Sequence, residues 1–302
     1  MKTKNSSKKR RIYGIISAVS LTGFMISAII LCYPLVSDKW NRYRDMVLIA
    51  NYNQTIANED PQVFEEELER ANEYNRMLYV QGKNIITQAQ YEYDAQYESL
   101  LNVLGNGVMG YLEVPTIGVT EPLYHYSTEI SLGEGVGHIH GSSLPIGGSS
   151  THSVLTGHRG LPNQKFFSDL DKLESGDCFY IHILGHTYAY RVYKTEVVLP
   201  TDVSGLLIES NKDIVSLVTC EPYGVNTHRL IVTGERIEFD ESNVNENGFV
   251  TIEKHRKAEN PEYWFLVGLM IFTGIMVIPQ VIRKIAEKAV ETRNKRKSEG
   301  GS

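Results

Sequence analysis

Cysteine is scarce in this chain: only Cys32, Cys178 and Cys220 occur in 302 residues. Three cysteines cannot build a disulfide scaffold. Positive charge is not in surplus either, since 30 Lys and Arg stand against 36 Asp and Glu, a net charge of −6. The composition therefore lacks the basic face of a nucleic-acid binder. Charged residues make up 22 % and hydrophobic residues 42 %, which excludes a disordered chain. Gly133-x-Gly135-x-Gly137 and Gly147-Gly148 have no following Lys-Ser or Lys-Thr, so they read as turns and not as a phosphate loop. His138-x-His140 lies near His125 and His152, but no Cys or carboxylate completes a metal set at the usual spacing. No metal and no cofactor is expected. There is no internal repeat, and the length allows one or two domains.

Two long runs without charge stand out. Residues 12–36 follow Lys2, Lys4, Lys8, Lys9, Arg10 and Arg11, and at 1.5 Å per residue they are long enough to cross a bilayer. The run exceeds a signal-peptide core, and no small-x-small cleavage site follows it, so it reads as an uncleaved anchor holding Cys32. The second run, uncharged over 263–282 within an expected span of 262–282, opens on Tyr263-Trp264-Phe265, an interfacial aromatic group, and precedes a basic tail over 283–302. The basic ends, 1–11 and 283–302, are expected in the cytoplasm. They hold 13 of the 30 Lys and Arg but 3 of the 36 Asp and Glu, which leaves the middle at −16. The expectation is a multi-pass membrane protein with both termini cytoplasmic and an acidic domain outside.

Within that middle, residues 37–101 read as helical. Asp60-Pro61 is a helix start, and Phe64, Leu68, Ala71, Asn75 and Leu78 fall on one face. The Glu-rich positions 65–73 read as its solvated side. From 102 to 239 the texture is β, with strands expected over 111–119, 153–157, 177–184, 187–198, 214–220 and 228–236, and a hairpin turn at Gly185-His186. Cys178 reads as a buried structural thiol. Residues 240–261 are polar and read as a linker without a fold of its own.

The chemistry gathers at strand ends. Cys220 closes an apolar run and is followed by the turn Glu221-Pro222-Tyr223-Gly224, so its thiol belongs at a rim. Arg229 opens the next strand nine positions later, and pairing of the two strands would bring both to one edge. His158 ends another short strand. Such a set suits acyl transfer: a thiolate attacks a carbonyl, an imidazolium protonates the leaving amine, and a guanidinium binds the oxyanion. Thr219, Asn226 and Thr227 flank the groove and are weaker substrate-binding candidates.

Residues 216–220, Ser-Leu-Val-Thr-Cys, with Arg229 beyond, and the stretch 151–162 around His158, resemble the sortase family of cysteine transpeptidases. The likeness extends upstream through 106–126 and 135–148 and covers 102–237. A helical segment before the domain and a membrane run after it are similar to class C, the pilus-assembling sortases. The resemblance implies a mainly β fold, a closed eight-stranded barrel with short helices, preceded by N-terminal α-helices and flanked by two transmembrane helices. It implies that Cys220 cleaves a Leu-Pro-x-Thr-Gly-like sorting signal between Thr and Gly, with His158 as general acid and base and Arg229 as oxyanion and substrate support. The implied partners are pilin subunits, one of which supplies the acceptor Lys; no nucleic acid is implied. Attachment of proteins to peptidoglycan, a non-catalytic pilus accessory and a plain endopeptidase are the rival readings. One feature of class C is missing. No Asp-Pro-aromatic lid motif occurs in 86–98, so a lid is absent or diverged, with Asp94 as the substitute candidate.

Overall fold

The computed structural model describes residues 3–82, 93–160, 166–240, 242, 249–250, 268 and 272, without the side chains of residues 3–21, 31, 34 and 35. The chain divides into two units, 1–256 and 257–302, and Gly268 and Phe272 alone represent the second. The expected span at 262–282 and the tail at 283–302 otherwise lie outside the described residues.

Helix α1 runs from Thr3 to Asn58 and contains the expected span at 12–36. Among the described residues no helix is long and apolar enough to cross a membrane. The far end of α1 is anchored to the β domain. Tyr52 is buried there, donating its hydroxyl to the Met109 carbonyl (2.9 Å) and accepting from the Leu184 N–H (2.9 Å).

Helix α2, Pro61–Gln81, begins as the sequence dictates. The Asp60 side chain accepts from the Gln62 N–H at 3.0 Å, and Pro61 sits where no N–H is needed. It ends at Gly82, whose φ of 59° is left-handed and favours glycine. The whole expected face is buried, with Tyr74 added. Each large apolar side chain so buried contributes about 1.5–3 kcal/mol. Asn75 belongs to this face because its amide donates to the Leu144 carbonyl (3.0 Å) and accepts the Leu144 N–H (2.7 Å).

After α3 (Ala95–Ser99), eight strands close a barrel. They are β1 Val108–Val114, β2 Val119–Tyr124, β3 Val136–His138, β4 Thr151–Thr156, β5 Cys178–Ile183, β6 His186–Val198, β7 Asp213–Glu221 and β8 His228–Ile237, with α4 Glu129–Glu134 before β3. The order around the barrel is β1-β2-β3-β4-β7-β8-β6-β5, and β5 returns to β1. The β2–β3 and β4–β7 pairs are parallel. The closed barrel leaves no edge strand exposed. Its interior is filled by Leu112, Leu123, Leu155, Phe179, Ile181, Leu217 and Val232, among others.

Three expectations change. The single strand at 111–119 is two strands, because Pro115 opens a 3₁₀ turn that Gly118 closes at φ 65°. The β5–β6 turn is Leu184-Gly185, both at positive φ (49° and 81°), one residue earlier than expected. The polar linker is not wholly detached. Val250 is buried and donates its N–H to the Glu113 carboxylate at 3.0 Å, and Phe249 meets the Tyr111 ring edge-on. Glu113 in turn meets His182 Nε2 at 3.2 Å.

Glu121 on β2 is also buried, and the carboxyl pKa is pushed up to about 8, first by burial and then by the nearby Asp45 carboxylate. Folding therefore takes up a proton between the ordinary carboxylate range and pH 8, and the cost to stability grows with pH. Glu121→Gln should remove that cost. The variant's stability advantage in urea unfolding is expected to widen by about 3 kcal/mol between pH 5 and pH 8. An advantage that does not change with pH would contradict a protonated Glu121.

Candidate active site

Strands β4 and β7 run side by side in parallel, with Thr156 opposite Val218. Gly157 continues the ladder by donating to the Val218 carbonyl (3.2 Å). Two residues beyond that last pair along the chain come His158, just past the end of β4, and Cys220, near the end of β7. On the other side of β7, Cys220 is the direct antiparallel partner of Arg229 on β8. Directly opposed residues project from the same face. The structure thus brings the three expected groups to one end of β4, β7 and β8.

Alternation decides which way each side chain points. Val215, Leu217, Leu230 and Val232 enter the barrel core, whereas Val218 and Ile231 pack with Val154 and Leu206 in a separate outer cluster. Cys220 and Arg229 share the outer parity of Val218 and Ile231. Cys220 is a free, half-buried thiol. Cys178 is free and half-buried too, rather than fully buried, so no disulfide joins it to Cys220.

The same alternation corrects one expectation. Thr219, expected at the groove, is 1 % exposed, so its side chain points inward. Its hydroxyl donates to the Gly157 carbonyl at 2.7 Å, tying the residue before Cys220 to the residue before His158. Gly157 lacks a side chain for a local reason: a Cβ there would meet the Phe167 ring at 3.0 Å. Asn226 and Thr227 lie in the exposed β7–β8 turn. Asn226, at φ 63°, presents its carbonyl to Arg229 Nη1 (3.3 Å), and the His228 carbonyl accepts from the same nitrogen (3.0 Å). Thr227 Oγ1 meets His228 Nδ1 at 2.9 Å. The turn thus aims the guanidinium through its own carbonyls.

His158 is half-buried, and desolvation holds its pKa below the ordinary value of 6.5 against the opposing pull of Glu129. At neutral pH the resting ring is therefore mostly neutral, able to accept the thiol proton.

Asp94, the lid candidate, makes contacts at α3 and just after β3. Its carboxylate accepts from the Tyr97 N–H (3.0 Å) as the cap of α3 and meets His140 Nε2 at 3.2 Å. His140 follows β3, which runs antiparallel to β4 and leads away from the His158 end. Of the expected lid stretch, residues 86–92 lie outside the described residues. His138 and His152 are engaged in the framework. His138, fully buried, donates from Nε2 to the Ser143 carbonyl (2.8 Å), its Nδ1 accepts from the Tyr97 hydroxyl (2.6 Å), and burial drives its pKa down to about 3. His152 bridges the Leu207 carbonyl and Ser216 Oγ.

One pair escaped the sequence reading. Arg159 and Glu221, the residues after His158 and Cys220, form an ion pair between Nη1 and Oε2, and Arg159 Nη2 also meets Asp171 at 3.0 Å. The only signal in the sequence was opposite charge at matching offsets, which has meaning once β4 and β7 are known to be paired.

The chain is similar to known proteins over the barrel. The sortase domain family model matches residues 112–237. Sortase D of Bacillus subtilis (strain 168) is 30 % identical over 131 residues, 42 % of this chain and 63 % of that protein. Sortase A of Bacillus anthracis is 27 % identical over 130 residues, 43 % of this chain and 60 % of that protein. The chain thus spans somewhat under two thirds of the length of these curated relatives. Among solved structures, sortase C1 from Streptococcus agalactiae is 44 % identical, with a TM-score of 0.60, covering 64 % of this chain and 99 % of that one. Sortase C-1 from Streptococcus pneumoniae is 38 % identical, with a TM-score of 0.59 and the same coverage of 64 % and 99 %. The chain belongs to the sortase family of cysteine transpeptidases. Within that family it falls in class C.

Proposed function

We propose that this chain cleaves a Leu-Pro-x-Thr-Gly-like sorting signal between Thr and Gly and transfers the acyl group to a Lys amine of a pilin subunit, polymerising pili. The observation that supports the reading is the β7–β8 register, which pairs Cys220 with Arg229, together with the β4–β7 register, which runs to within two residues of His158 and Cys220.

The steps follow from that placement. Neutral His158 takes the Cys220 proton, and the thiolate adds to the Thr carbonyl carbon. Arg229, charged at any working pH, stabilises the oxyanion. The tetrahedral species collapses, the C–N bond breaks, and the His158 imidazolium protonates the leaving Gly amine. A Lys amine then attacks the thioester and gives its proton to His158, and the Cys220 thiolate leaves. The net change is one amide bond exchanged for another.

The domain plan belongs to the same proposal: a catalytic barrel over 102–239, helices before it, a linker over 240–261, and membrane runs at 12–36 and 262–282 with both ends cytoplasmic. Met25, Ile26, Ile29, Ile30, Tyr33 and Val36 support a lipid-facing α1, each being more than half exposed. The test mixes the full chain with pilin subunits carrying Leu-Pro-x-Thr-Gly-like tails and scores covalent ladders on denaturing gels. Ladders cross-linked through a pilin Lys are expected. Cleaved monomer that joins only an added peptidoglycan amine would replace polymerisation with wall anchoring. Cleavage to a free acid alone would indicate an endopeptidase, and no cleavage a non-catalytic accessory.

A further inference from the structure

The β4–β7 ladder stops just short of the reactive pair. Its last ties are the Gly157 N–H to the Val218 carbonyl and the Thr219 hydroxyl to the Gly157 carbonyl. Beyond them β4 ends and β7 turns at Glu221. His158 therefore stands on a segment that strand pairing no longer holds. One residue further out, the Arg159–Glu221 ion pair bridges the same gap. The Arg159 side chain is 6 % exposed, and Asp171 grips its other nitrogen at 3.0 Å. A second contact lies one step beyond. Tyr223 of the β7–β8 turn rests on Gly160, where a Cβ would meet the ring at 3.1 Å. So His158 and Cys220 are bracketed, with the ladder on one side and, on the other, an ion pair made by the buried Arg159 and the contact of Tyr223 with Gly160.

We propose that Arg159 and Glu221 are positioning residues, a salt bridge that keeps His158 and Cys220 level so that the proton can pass between them. The inference rests on the reading of those two residues as a reacting pair. It differs from an electrostatic role in a way that can be measured. Arg159 and Glu221 carry opposite charges next to the thiol. Acting through charge alone, loss of Glu221 would leave a cation and favour the thiolate, and loss of Arg159 would leave an anion and disfavour it. Acting through position, either loss uncouples the pair in the same direction.

The experiment follows alkylation of Cys220 by iodoacetamide against pH in the full chain, with the Cys220 peptide monitored by mass spectrometry. It needs no substrate, so its outcome is separate from that of the pilin assay. The variants are Glu221→Gln, Arg159→Met and the charge-balanced double variant, with Glu221→Asp and Arg159→Lys as conservative controls that guard against misfolding; thermal melting is recorded for each. The wild type should show His158's titration in its profile, because the imidazolium stabilises the thiolate. Both single variants and the double variant should lose that inflection and react about tenfold more slowly at pH 6, with the conservative controls recovering part of the rate. Single variants that move in opposite directions, with a double variant like wild type, would overturn the proposal in favour of a charge effect. Melting temperatures that fall with an unchanged pH profile would overturn it in favour of a purely structural pair.

Discussion

Cys220→Ala should abolish transfer while leaving the barrel folded. In the proposed mechanism the thiol enters the covalent intermediate, and without it the acyl transfer has no two-step route; the expected loss in kcat is about 10³-fold or more. Little stability should go with it, because Cys220 is half-buried at the end of β7 rather than packed in the core. Turnover of a sorting-signal peptide, with melting temperature recorded alongside, checks both halves. Activity within tenfold of wild type would remove Cys220 from the mechanism.

The next largest effect belongs to Arg229. Its guanidinium is held by the carbonyls of its own turn, so the charge is aimed before substrate arrives. A preorganised oxyanion donor contributes about 10²–10³-fold to kcat, and Arg229→Ala should lose that amount. Arg229→Lys should recover only part of it. An ammonium keeps the charge but not the planar fork that can hold two carbonyls and still face the oxyanion. The diagnostic is the split between constants. A fall in kcat with KM nearly unchanged is expected, whereas a rise in KM alone would make Arg229 a ground-state binding residue.

Much of this arrangement could be read before any coordinates. Helix α2 was legible because its cap, its proline and its apolar face agree with one another. Cys220 and Arg229 were legible because a strand, a short turn and a strand form a local unit, and the nine-residue spacing sets the register. His158 was harder, since β4 and β7 are parallel neighbours joined through more than fifty residues of chain. What local pattern missed was non-local or too short. Strand β3 has three residues, too few to show a period. The break at Pro115–Gly118 lies inside an apolar run and looks continuous. The docking of Val250 depends on a buried carboxylate, Glu113, that a pattern of apolar residues does not reveal. Thr219 could have been placed correctly, since an outward Cys220 forces its neighbour inward.

The most direct test of the central claim is the intact mass of the full chain after mixing with a Leu-Pro-x-Thr-Gly-like peptide and no acceptor amine. A mass gain equal to the acyl fragment ending at Thr is predicted, located on Cys220 and released by hydroxylamine as a thioester would be. Peptide consumed with no acyl group on Cys220, or with the adduct on another residue, would contradict the account.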